Sequence, residues 1–211
     1  MRRIFHLIVI ALLLYSATSR AQSLDEVLEA VTGGKTAEVL RLLDRGVDVN
    51  TSDANGDTLL MLATRKGDRE LAGMLLSRKA DLARRNRYGD SALMMASLGG
   101  DLLLVKAYVE AGAPVKLPGW TPLHYASFGG SAPVVSYLIG KGAEKDAIAP
   151  NGYTPLMLAA RDGHVEAAKA LLFQDADANF RNSAGETAMV IAERRGKVEV
   201  IDLLKRAGAR Q

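Results

Sequence analysis

The sequence predicts an all-α solenoid of six stacked helical units, and three observations predict it. A glycine recurs at Gly34, Gly67, Gly100, Gly130, Gly163 and Gly196, with spacings of 33, 33, 30, 33 and 33 residues. A second landmark follows each of them 12 residues later, at Gly46, Lys79, Gly112, Gly142, Asp175 and Gly208, and a third opens every unit after the first, at Gly56, Gly89, Gly119, Gly152 and Gly185. Paired apolar residues keep the same register at Leu42-Leu43, Leu75-Leu76, Tyr108-Val109, Leu138-Ile139 and Leu171-Leu172. A period of about 20–50 residues marks a stacked solenoid, in which no unit buries a core alone and the interfaces between units carry the stability.

The first element is an export segment. Met1-Arg2-Arg3 precedes an apolar run from Ile4 to Tyr15, broken only by His6, and then Ser16-Ala17-Thr18-Ser19-Arg20-Ala21. Positive end, short apolar stretch and small-residue site are the order of a secretory signal peptide. The run falls short of the roughly 20 apolar residues a spanning helix needs. Ser19 and Ala21 form a small-x-small site, so cleavage is expected after Ala21, leaving a mature chain from Gln22 that is periplasmic or secreted and has no membrane anchor.

Residues 22–211 form the repeat domain, with units at about 23–54, 55–87, 88–117, 118–150, 151–183 and 184–210. In the Gly-x-Thr-Pro-Leu entries, Thr121 and Thr154 are placed to N-cap the first helix, and Pro122 and Pro155 take the first helical position, where no amide donor is needed. Small residues at Ala63, Ala96, Ala126, Ala159 and Ala192 let helices approach closely. The ends differ: unit one lacks Thr-Pro and begins with the polar Leu24-Asp25-Glu26-Val27-Leu28-Glu29, while unit six has Ala188 for proline and Lys205 in place of the second apolar residue of the pair. Both read as solvent-facing caps.

The strings Gly119-Trp-Thr-Pro-Leu-His-Tyr-Ala-Ser-Phe-Gly-Gly and Gly152-Tyr-Thr-Pro-Leu-Met-Leu-Ala-Ala-Arg-Asp-Gly-His-Val-Glu resemble the ankyrin repeat, and the resemblance extends over residues 23–210. It implies a unit of helix, tight turn, second antiparallel helix and projecting β-hairpin loop. It also implies a concave, partner-binding face built from hairpin tips and the ends of first helices.

Composition narrows the chemistry. With no cysteine among 211 residues, disulfides, thiolate metal sites and a cysteine nucleophile are excluded. Removing Arg2, Arg3 and Arg20 leaves 27 − 3 = 24 basic residues against 24 acidic ones, so net charge gives no reason to expect nucleic acid. Gly34-Lys35-Thr36 is the tail of a phosphate-loop motif, but the first glycine would fall at Glu29, whose carboxylate opposes phosphate. His124 and His164 occupy different repeat positions, and the family resemblance implies that both make structural hydrogen bonds. No serine or threonine has a histidine and carboxylate suitably placed. The expectation is a non-catalytic protein without cofactor or metal.

The residues following the opening glycines are Asp57, Asp90, Trp120, Tyr153 and Glu186; those ending the first helices are Arg65-Lys66, Leu98-Gly99, Phe128-Gly129, Arg161-Asp162 and Arg194-Arg195. Tyr88, Trp120, Phe128 and Tyr153 thus fall at contact-type positions in adjacent central units. The alternative for these rings is packing on their own hairpins or on each other. Arg65, Lys66 and Arg87 lie towards one end of the strip, and Arg161, Arg194 and Arg195 towards the other. Aromatics with flanking arginines are the residue types of binding hot spots. The loop from Gly112 to Gly119 is three residues shorter than its equivalents, which leaves a notch beside Trp120. We expect a monomeric exported scaffold for a protein partner with an apolar centre and acidic edges. The alternatives are a small-molecule or peptide binder using the aromatic notch, and an effector secreted into a host cell.

Overall fold

The computed structural model describes residues 23–210; the export segment and the new terminus at Gln22 lie outside the described residues. Twelve helices run through the described chain in six pairs. These are α1 (residues 23–32) with α2 (Thr36–Asp44), α3 (Leu59–Lys66) with α4 (Arg69–Ser77), and α5 (Ala92–Leu98) with α6 (Leu102–Glu110). They continue as α7 (Pro122–Phe128) with α8 (Ala132–Gly140), α9 (Pro155–Asp162) with α10 (Val165–Phe173), and α11 (Ala188–Arg194) with α12 (Val198–Arg206). No strand occurs among the described residues; one isolated antiparallel bridge joins Ser52 and Thr58.

The chain forms two compact units that meet in sequence between Asp81 and Leu82. The first holds α1 to α4, with Val27, Val31, Val39, Leu42, Leu60, Leu71 and Leu75 buried. The second holds α5 to α12 in two layers. First helices pack in the order α5, α7, α9, α11, and second helices in the order α6, α8, α10, α12.

Local chemistry explains the starts of α3 to α7, α9 and α11. The hydroxyls of Thr58, Ser91, Thr121, Thr154 and Thr187 accept the amides of Met61, Met94, His124, Met157 and Val190, each three residues on. Such a cap is worth about 1 kcal/mol. Asp68 and Asp101 cap α4 and α6 in the same way. All three landmark series mark left-handed backbone, which is why glycine fills nearly all of them. The two exceptions adopt it as well, with φ of 62° at Lys79 and 58° at Asp175. At Lys79 the geometry is fixed by its own amide donating to Leu76 O (2.8 Å) and the Ala80 amide donating to Leu75 O (3.0 Å), a helix-ending closure. Lys79→Gly is therefore expected to raise stability by up to about 1 kcal/mol, less the entropy that glycine adds to the unfolded chain. A urea titration reads this directly; a lower midpoint would contradict it.

Packing follows the repeat register. Ala63, Ala96, Ala126, Ala159 and Ala192 are all buried, and so is the leading residue of each apolar pair, Leu42, Leu75, Tyr108, Leu138, Leu171 and Leu204. The second residue is half-buried at Leu76, Val109, Ile139 and Leu172, and Lys205 is exposed. Asp25, Glu26 and Glu29 are exposed on α1, as a capping helix requires.

The projecting loops close as tight turns. Asp53, Asn86, Ala149 and Asn182 each donate their amide to the carbonyl four residues on and accept the amide of the opening glycine three residues on. Where that residue is Asp53, Asn86 or Asn182, its side-chain oxygen also accepts the amides two and four residues ahead. Among the described residues no equivalent pair closes the short loop between Gly112 and Gly119.

Candidate functional site

In two repeat units the residue after the opening glycine pairs with the residue eight positions on, at the end of its own first helix. In the first compact unit this pairs the buried Asp57 carboxylate with the Arg65 guanidinium, while Lys66 donates to the carbonyl of Thr32. Glu186 and Arg194 repeat the ion pair in the second unit. The Asn182 amide (3.1 Å), and then Arg194, hold the Glu186 carboxyl below its usual range. The intervening units break the pattern in sequence, with Leu98 eight residues after Asp90, Phe128 after Trp120 and Arg161 after Tyr153.

Asp90 reaches forward instead, accepting the Tyr125 hydroxyl of the next unit. Burial, followed by the bond to Asp90 and its negative charge, raises the Tyr125 pKa far above the ordinary value, so the phenol stays protonated as a donor. Trp120 stands edge-on to the rings of His124 (5.5 Å) and Tyr125 (6.3 Å) and is half-buried. His124 is buried. Its Nε2 faces two carbonyl oxygens, Ala147 O (3.0 Å) and Tyr153 O (3.2 Å), and must carry the proton, while Nδ1 accepts from the Thr121 amide (3.2 Å) and lies 2.8 Å from its hydroxyl. Burial lowers its pKa, so the ring is a neutral structural strut.

Phe128 is 44% exposed at the end of α7, and Leu98 is 40% exposed at the equivalent point of α5, the helix packed against α7. The Arg161 guanidinium lies 5.1 Å from the Phe128 ring centroid and is bidentate to Asp162, with Nη2 to Oδ2 at 2.8 Å and Nε to Oδ1 at 3.1 Å. His164 links the same helix end by Nε2 to Phe128 O at 2.9 Å. Tyr88 is 66% exposed, with Arg87 stacked on its ring at 4.9 Å and donating Nη2 to its hydroxyl at 2.7 Å. Arg195 ends α11, exposed.

The structure thus joins Trp120 to Tyr153 through His124, and Phe128 to Arg161. It leaves Tyr88 with Arg87, and Arg194 with Glu186, as separate pairs. Arg65 and Lys66 belong to the other compact unit. Internal packing describes Trp120 in part, whereas Tyr88 and Phe128 offer their rings to solvent. Arg65, Arg161 and Arg194 meet internal carboxylates, which the expectation of basic rims did not include. Sequence reasoning placed Asp90 and Leu98 at contact-type positions without selecting them for the site, and it passed over Tyr125. An opposite-charge pairing at a spacing of eight, as in Asp57 with Arg65 and Glu186 with Arg194, was the available sign that these arginines are partnered.

Among the described residues no group of three or more metal-ligating side chains converges, and no helix is long and apolar enough to cross a membrane. Stacked helix pairs with an exposed apolar edge and a neutral, fully bonded buried histidine define a helical-repeat scaffold. A family model for ankyrin repeats, in three copies, matches residues 27–117, 83–149 and 142–211, and the chain belongs to the ankyrin repeat family. It is also similar to a protein of Rickettsia bellii (strain RML369-C) named for its ankyrin repeats, 34% identical over 119 residues. That match covers 52% of this chain and 34% of the relative, so the chain spans about a third of the relative's length. Ankyrin repeats generally mediate protein–protein interaction as non-catalytic scaffolds.

Proposed function

We propose that the chain is an exported, non-catalytic scaffold that holds a protein partner on the first-helix side of its second compact unit. The carrying observation is the pair Leu98 and Phe128, exposed apolar side chains at matching points of two helices in contact. Adjacent apolar exposures of this kind, bordered by the Arg161–Asp162 pair over the Phe128 ring, form a patch rather than scattered singles. Tyr88 and Arg87 supply a second contact point, and Arg194 and Arg195 a charged border.

A photocrosslinking residue at Tyr88 in living cells tests the reading. Covalent capture of a partner is expected to fall when Leu98 and Phe128 are both changed to alanine, since removing an aromatic anchor costs at least about 2 kcal/mol of binding. Phe173→Ala is the control: Phe173 is 84% exposed and lies at the end of a second helix. Capture that survives the first change and is lost with the second would place the partner elsewhere. Export is tested separately, by N-terminal sequencing of protein from an exporting bacterium, which is expected to begin at Gln22; full-length chain in the membrane fraction would refute it.

A further inference from the structure

We propose that the partner presents a linear acidic segment, with carboxylates beside an apolar side chain, and that the loop of residues 84–88 receives the carboxylates. The proposal rests on the reading that the second compact unit holds a protein partner, and adds the chemistry of that partner. Arg84, Arg85 and Arg87 are all exposed on this loop, around the buried Asn86. The equivalent five-residue stretches, beginning at Thr51, Pro114, Ala147 and Phe180, hold at most one basic residue each, and residues 82–89 contain no acidic one.

The loop is a fixed platform. Asn86 Oδ1 accepts the amides of Tyr88 and Asp90, both at 2.9 Å, and its own amide donates to Asp90 O at 3.0 Å. Stacking on Tyr88 orients the Arg87 guanidinium, whose in-plane donors suit bidentate recognition of a carboxylate. The Tyr125 hydroxyl of α7 donates to Asp90, the residue that closes the loop turn, which places the loop beside α7. Asp81 and Asp90 flank the loop, and Asp90 is already engaged by that hydroxyl. Elsewhere on the proposed surface Arg161 and Arg194 bring their own carboxylates, whereas Arg195 stands exposed at the end of α11. A nucleic acid would call for a basic field along the surface, whereas here the compact unit that carries the loop also exposes the apolar Leu98 and Phe128.

The test is selection of short random peptides on the immobilised full chain, with a single-stranded oligothymidylate as the rival ligand. Selected peptides are expected to be enriched in Asp and Glu flanking Leu, Ile or Phe. The double change Arg85→Glu and Arg87→Glu, on exposed residues, is expected to weaken those peptides at least about tenfold and to select Lys and Arg in their place. Neutral or basic peptides selected by the unchanged chain, an acidic preference that survives the double change, or tighter binding of the oligothymidylate would overturn the proposal. Peptides without charge bias that are lost with Leu98→Ala and Phe128→Ala would overturn it while sparing the scaffold reading. Peptides indifferent to Leu98 and Phe128 would refute that reading itself.

Discussion

Changing His124 to alanine is expected to lower the free energy of unfolding by about 3 kcal/mol, the range of a broken buried network. The ring bonds the Thr121 amide on one side and the carbonyls of Ala147 and Tyr153 on the other. Tyr153 O keeps a second donor, the Ala149 amide at 2.9 Å, so the orphaned groups in the variant are Ala147 O and the Thr121 amide. Each buried group left unsatisfied costs about 1–3 kcal/mol, and the missing ring adds a cavity against Trp120. Urea unfolding at neutral pH measures the loss; a change below about 1 kcal/mol would mean water replaces the ring at little cost. The pH dependence has a definite sign. Burial lowers the folded pKa from the ordinary 6.5, so as the pH falls below 6.5 the unfolded chain takes up a proton that the folded chain refuses. The stabilisation is complete above 6.5 and is lost as the pH falls towards the folded value. The difference between the parent and His124→Ala is therefore expected to narrow on acidification.

Gly129→Ala is expected to cost about 2–3 kcal/mol, although the backbone there suits any residue. Gly129 ends α7 with φ −78°, so alanine meets no conformational penalty, and its helix propensity would favour the change. The obstacle is the neighbouring unit: an added Cβ would sit 2.2 Å from Leu98 O and 3.1 Å from the Leu98 carbonyl carbon. Those are backbone atoms, which cannot step aside as a side-chain tip can, so α5 and α7 must separate. Gly99, the counterpart on α5 with φ −72°, supplies the control, because its nearest contact would be Met95 O at 3.6 Å. Gly99→Ala is expected to be neutral or slightly stabilising. Equal losses for the two variants in parallel unfolding curves would overturn the close-approach argument.

Both residues stand in strings that announce the repeat, yet the sequence says little about why either is needed. The period, the helix starts at Thr121 and Thr154, the left-handed backbone at Lys79 and Asp175, the inward face of Ala126 and Leu138 and the exposure of Lys205 are all legible in the chain. They depend on capping, on allowed backbone angles and on apolar spacing within about a dozen residues, which are local physics. The solvent face of the site is different in kind. Whether Trp120 is covered by Tyr125 and His124, whether Arg161 turns to Phe128 and Asp162, and whether Asp90 reaches Tyr125 depend on how one unit is rotated and offset against the next. The same holds for Gly129, whose constraint is a carbonyl 31 residues away in sequence. Residue order along the chain settles which backbone each segment adopts and which face it buries. Packing between units settles which charges are neutralised and which apolar groups remain open, because Coulomb and contact energies depend on distances of a few ångströms that the 33-residue repeat does not encode.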